Sequence, residues 1–172
     1  MTGSKDAADV GVLVSGGLDS AILLAHLLDQ EQSVQPFYVR SHLAWEGTEL
    51  AWLRRYLAAV ARPALAPLVI LDLPLADVYG THWSTTGEAV PDAATPDEAV
   101  YLPGRNALLL IKAVLWCQLH DVPRLALAPL ASNPFPDATD KFFAAYEQAL
   151  NLATGGQVHI ERPFAQMTKR QV

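Results

Sequence analysis

Six consecutive residues, Ser15-Gly16-Gly17-Leu18-Asp19-Ser20, have the types and spacing to hold a phosphate chain. Gly16 and Gly17 accept backbone angles closed to other residues, so their N–H groups can approach an anion closely. The hydroxyls of Ser15 and Ser20 add short donors, and Asp19 offers a carboxylate of the kind that shares a magnesium ion with phosphate oxygens. A plain tight turn demands less than this. The spacing also excludes two commoner phosphate loops, because neither Gly-x-x-x-x-Gly-Lys-Ser/Thr nor Gly-x-Gly-x-x-Gly is present.

The elements on either side must aim these groups. Val10 to Val14 is an apolar strand and Ala21 to Leu28 a helix, so the glycines sit in a strand-to-helix turn with the positive end of the helix dipole beside it. Further along, Val34 to Val39 reads as a second strand and Leu68 to Leu71 as a third, apolar throughout. Thr48 to Ala61 between them reads as a helix with Leu50, Leu53, Tyr56, Leu57 and Val60 at core spacing. Leu75 to Glu98 turns to Gly, Thr, Ser, Pro and Asp and predicts an extended surface loop or lid. Ala107 to His120 is apolar nearly all round and predicts a central helix; Arg124 to Ala128 follows as a strand. A helix from Thr139 to Leu152 with Phe142, Phe143, Tyr146 and Leu150 on its packing side ends at Gly155-Gly156, before a short strand over Val158 to Glu161. Strands alternating with helices predict a doubly wound α/β domain over 1–172, with a mostly parallel sheet covered on both faces. Ligands of such sheets bind beyond the carboxyl ends of the strands, where the Ser-Gly-Gly turn lies.

Composition narrows the class. Of 172 residues 51% are hydrophobic and 17% charged, which is enough apolar material for one packed core. A formal net charge of -6 leaves no basic footprint for a nucleic-acid backbone, so direct nucleic-acid binding is not expected. Cys117, the single cysteine, falls in an apolar run and reads as a buried core thiol. With no apolar leader in Met1 to Asp9 and no membrane-length window, the expectation is a cytoplasmic protein without membrane contact. His82, His120 and His159 lack ligand spacing, His42 is a weak site candidate that reads better as surface or loop packing, and the four tryptophans are too dispersed to form a base-stacking platform. Thr168 and Gln171 have the spacing of a capping box, which suggests a helix beginning where this sequence stops.

Ser15 to Ser20 resembles the PP-loop of the ATP pyrophosphatase superfamily. With Pro103-Gly104-Arg105-Asn106, Pro136-Asp137, Ala149-Leu150-Asn151-Leu152 and Met167-Thr168-Lys169 following in order, the chain resembles the 7-cyano-7-deazaguanine synthase (QueC, or ExsB) family over nearly its whole length. That resemblance implies ATP and Mg2+ as cofactors and cleavage of ATP to AMP and pyrophosphate. It further implies that the carboxylate of 7-carboxy-7-deazaguanine is adenylated and attacked by ammonia, with a second activation giving the nitrile. Ser15, Gly16, Gly17, Leu18 and Ser20 would bind the nucleotide, Asp19 would hold magnesium, and Arg105 and Lys169 would act on phosphate or carboxylate oxygens. Asn106 would contact substrate or stand as the N-cap of its helix. Asp137 would contact substrate or cap the helix that begins nearby. Family members are often dimers, so a homodimer is a further implication.

Two segments depart from the family pattern. Asn133 to Thr139 lacks the Cys and Arg of the family's Ser-Gly-Tyr-Pro-Asp-Cys-Arg loop, and Arg40 to Glu46 replaces its Tyr-Gly-Gln-Arg-His step. The family's four-cysteine zinc element would lie past Lys169, so zinc is expected only if residues outside this sequence supply it. Two other readings stay open: a PP-loop tRNA-modifying enzyme, and a nucleotide-sensing module without catalysis.

Overall fold

The computed structural model describes residues 7–30, 32–92, 95–96 and 99–172. Five parallel strands form one sheet: β1 (Val10–Leu13), β2 (Val34–Arg40), β3 (Val69–Asp72), β4 (Arg124–Ala126) and β5 (His159–Glu161). Their spatial order is β3-β2-β1-β4-β5. The chain winds outward from β1 through α1 (Leu18–Asp29), β2 and α2 (Glu46–Ala59) to β3. It then returns through α3 (Ala76–Tyr79), α4 (Trp83–Thr86) and α5 (Arg105–Leu119) to the other side of β1, and α6 (Asp140–Thr154) leads to β5. The winding therefore reverses between β1 and β4, the crevice where doubly wound sheets bind ligands.

Alternation along the strands builds a core on each face. Val10, Val12 and Val14 pack with Leu23, Leu24, Leu27 and Leu53 of α1 and α2. Phe37, Leu125 and Leu127 pack with Leu110, Val114, Phe143 and Leu150 of α5 and α6. Cys117 lies in this second core at 0% exposure, and burial pushes its thiol up to about 12. In α6 the Thr139 hydroxyl accepts the Phe142 N–H and Gly155 closes the other end, so its boundaries come from its own caps.

Several expectations are corrected. β3 is an edge strand, and its outward residues are exposed, Ile70 by 40%; an apolar run does not report its place in the strand order. Leu75 to Glu98 is not simply extended loop: α3 and α4 lie within it, and Leu75 and Ser84 are buried. Ala93, Ala94, Asp97 and Glu98 of that segment lie outside the described residues, as do Met1 to Asp6 of the segment searched for a leader. α5 buries one face but leaves Leu115 41% and Leu119 78% exposed, so its apolar composition overstated its burial. The capping-box spacing, by contrast, is matched by a contact: Gln171 Oε1 accepts the Thr168 N–H at 2.8 Å, and Val172 N–H reaches the Thr168 carbonyl at 3.4 Å.

Candidate functional site

β1 ends at Leu13 and α1 begins at Leu18, with four residues between them. Gly16 makes the bend at φ +78°, and a Cβ placed there would stand 2.7 Å from the carbonyl oxygen of Glu49, so the backbone of α2 lies directly against the turn. The turn also closes on itself. Ser15 N–H donates to Ser20 Oγ at 3.2 Å, Ser20 Oγ–H donates to the Gly17 carbonyl at 3.0 Å, and Gly17 N–H reaches Ser15 Oγ at 3.3 Å. The first helical bond runs from Ala21 N–H to the Gly17 carbonyl, and the N–H groups of Leu18, Asp19 and Ser20 precede it without intrahelical acceptors. No side chain caps this helix start, which keeps its positive end available to an anion.

Cavities open on both sides of the turn. The one at the β1/β4 reversal, about 250 Å³, is lined by Ser15, Gly17, Asp19, Ser20, Asn106 and Asn133 among others. A second, about 70 Å³, lies between the ends of β1 and β2 and is lined by Ser15, Tyr38, Ser41, Glu46, Glu49 and Arg105 together with apolar residues, and a third, about 270 Å³, lies between the turn and α2 against Gly16, Leu18, Trp52 and Tyr56. Leu13, Ser15 and Leu109 belong to both of the first two. α5 thus begins above the turn, with adjacent residues Arg105 and Asn106 serving different cavities.

A chain with this fold, and with this turn at its reversal point, matches the family profile described as "Queuosine biosynthesis protein QueC" over residues 10–172. The chain belongs to the QueC family. It is 29% identical to a 7-cyano-7-deazaguanine synthase from Desulfotalea psychrophila over 94% of this chain and 74% of that protein. It is 31% identical to the enzyme of that name from Cellvibrio japonicus, over 94% and 73%. A crystal structure titled as a predicted subunit of a tRNA methyltransferase from Methanocaldococcus jannaschii shares the fold, with a TM-score of 0.58 at 13% identity over 95% of this chain and 71% of that one.

In this QueC-family chain the Pro-Gly-Arg-Asn step is held from several directions. Gly104 is the N-cap of α5 at φ +75°, a conformation L side chains rarely adopt, and this moves Asn106 from the expected cap into the first helical turn. Asn106 N–H donates to Asp137 Oδ2 at 3.0 Å, and Asn106 Nδ2 also donates, to the Asp137 carbonyl, at 2.9 Å. Asp137 is 7% exposed and caps α5 from a distant loop, while α6 takes Thr139 as its own cap. Tyr79 from α3 donates its hydroxyl to the Pro103 carbonyl at 2.9 Å. Lys169 is exposed in the final turn and lines none of the three cavities beside the Ser15–Ser20 turn.

The β1/β2 side holds residues that sequence reasoning missed. Tyr38 donates its hydroxyl to Glu49 Oε2 at 2.8 Å. Burial pushes the Tyr38 phenol up, and burial likewise raises Glu49 above the usual carboxylate range against the Tyr38 hydrogen bond and the Arg105 charge, which lower it. Glu46, 6% exposed, accepts from Arg40 Nε at 2.7 Å and from His42 N–H at 2.7 Å, fixing the turn after β2 where His42 sits at φ +59°. The His42 ring pairs instead with Asp72 at 2.7 Å, on the exposed side. Glu46 and Glu49 are one helical turn apart in α2, a pattern that reads from sequence as ordinary first-turn acid.

No group of three or more His, Cys, Asp or Glu side chains among the described residues could hold a metal by itself. Magnesium asks for less, one or two carboxylates plus phosphate oxygens and water. Asp19, in the first turn of α1 and on the wall of the β1/β4 cavity, fits that requirement.

Proposed function

We propose that this chain is an ATP-dependent carbon–nitrogen ligase of queuosine biosynthesis, a 7-cyano-7-deazaguanine synthase that cleaves ATP to AMP and pyrophosphate. The carrying observation is the Ser15–Ser20 turn, bent at Gly16 and placed at the sheet's reversal with uncommitted N–H groups at the start of α1. Family membership and the names of the relatives supply the substrate class.

The chemistry follows from what a carboxylate lacks. Its oxygen is a poor leaving group, so the carboxylate attacks the α-phosphorus of ATP, pyrophosphate departs, and the acyl adenylate becomes open to ammonia. AMP then leaves with the oxygen and an amide remains. A second activation removes the amide oxygen in the same way and yields the nitrile. Both steps build charge on phosphoryl oxygens, and fixed donors aimed at that charge lower the barrier most. The N–H groups of Gly16, Gly17, Leu18 and Ser20 and the hydroxyls of Ser15 and Ser20 take the pyrophosphate. Ser15 and Ser20 trade their mutual contact for the ligand. Asp19 would hold magnesium, which would neutralise phosphate charge. Arg105 brings a planar cation to the nucleotide or the carboxylate, and Asn106 and Asp137 hold Arg105 in place. Lys169 would have to move toward the turn to touch phosphate.

The test is pyrophosphate release with 7-carboxy-7-deazaguanine and ammonia supplied separately and together. Release that requires the acid, and nitrile that requires ammonia, are expected. Release stimulated by tRNA and indifferent to the acid would overturn the assignment in favour of a tRNA-modifying enzyme.

A further inference from the structure

A further cavity, about 450 Å³, opens beyond the carboxyl ends of β4 and β5 and shares Pro129 and Asn133 with the one at the β1/β4 reversal. That volume is within the range of small-molecule sites. A ligand whose reacting group lies at the Ser15–Ser20 turn has its remaining atoms directed along this continuous space.

One wall carries Arg162, which follows β5, and Asp140, which begins α6. The Arg162 side chain is only 18% exposed. Its guanidinium lies over the Phe143 ring at 4.5 Å, and its Nη1 donates to Asp140 Oδ1 at 2.7 Å. Phe143 is 2% exposed, so the guanidinium plane rests on the core. Held on one face and one edge, the arginine has little freedom left to lose when a ligand binds. Among the described residues this is its one side-chain hydrogen bond, so its remaining N–H donors are unspent, and Asp140 keeps Oδ2.

A donor set 2.7 Å from an acceptor reads a ligand edge with an acceptor beside a donor. A phosphate or carboxylate offers acceptors alone and meets the Asp140 charge. A guanine-type edge places a carbonyl oxygen, a ring N–H and an exocyclic amine in a row, which matches Arg162 at the carbonyl and Asp140 at the two donors.

We propose that the β4/β5 cavity is a specificity pocket for a guanine-type ring, with Arg162 donating to the ring carbonyl and Asp140 accepting from the ring N–H and the exocyclic amine. This rests on the ligase reading for the ligand's identity, the deazaguanine of the acid, whose carboxylate then points toward the Ser15–Ser20 turn.

Calorimetry with 7-deazaguanine, 7-deazahypoxanthine, adenosine and pyrophosphate tests it, the first two differing only in the exocyclic amine. The unaltered chain should bind 7-deazaguanine roughly 3- to 10-fold more tightly than 7-deazahypoxanthine, the worth of one hydrogen bond. Asp140→Ala should erase that preference, whereas Arg162→Gln should weaken both rings by a similar factor. Adenosine and pyrophosphate should bind both variants as they bind the unaltered chain. Both substitutions break the same ion pair, so a merely structural role would lower the melting temperature in both and leave the amine preference intact. A preference that survives Asp140→Ala, rings that bind Arg162→Gln undiminished, or adenosine affinity lost in either variant overturns the proposal. A chain that shows the amine preference but releases no pyrophosphate with 7-carboxy-7-deazaguanine brings down the ligase reading alone. One that releases pyrophosphate with the acid yet binds the two rings equally brings down the pocket alone.

Discussion

Asp137 accepts two hydrogen bonds from Asn106: its carboxylate receives the Asn106 backbone N–H at 3.0 Å and its carbonyl receives the Asn106 side-chain amide at 2.9 Å. One buried carboxylate thus ties the loop before α6 to the first turn of α5, where the helix dipole favours negative charge. Asp137→Ala leaves a buried N–H unpaired and should cost about 1–3 kcal/mol, visible as a lowered melting temperature. Turnover should fall with it through a displaced Arg105. Asp137→Asn, which keeps an acceptor, should recover most of the stability, and a failure to do so would count against the clamp.

Gly16→Ala tests the close approach of α2 to the turn. A side chain there meets the Glu49 backbone and must adopt a left-handed conformation, at a cost of about 1–3 kcal/mol. Pyrophosphate affinity should drop far more than the melting temperature. A variant that binds pyrophosphate normally would show that the turn is not the anion site.

Asp19→Ala should leave the fold within about 0.5 kcal/mol of the original, because the side chain is only partly buried and belongs to neither core cluster. Magnesium-dependent turnover should disappear. Turnover retained at unaltered magnesium concentrations would remove Asp19 from the metal.

Glu49 gives stability a pH dependence of defined sign. Burial raises its folded pKa above the usual 4.5, so as pH rises past that value the unfolded chain loses the proton first and folding stability falls until the folded pKa is passed. Glu49→Gln should flatten this slope in melts taken from about pH 4.5 upward. A slope unchanged in the variant would point to another group.

The sequence made the strand-to-helix turn legible because one contiguous segment carries the strand end, the glycines, the acid and the helix start. It also placed Arg105 and Asn106 beside each other at the mouth of a helix. It could not show that Asp137 caps that helix, because the pair is 31 residues apart and either residue has a local helix to cap. The β1/β2 cavity was hidden for a related reason. Tyr38, Ser41, Glu49 and Arg105 meet only once β2 lies beside β1 and α5 crosses above them, and no periodicity within one segment records such a meeting. β3 and α5 were misjudged on exposure because apolar composition does not say which element will cover which face.

The most direct measurement follows oxygen. With 7-carboxy-7-deazaguanine labelled with heavy oxygen in its carboxylate, adenylation by this chain transfers the label to AMP, and mass spectrometry should find it there with unlabelled pyrophosphate. Label in pyrophosphate or inorganic phosphate, with AMP unlabelled, would contradict attack at the α-phosphorus and with it the role assigned to the Ser15–Ser20 turn.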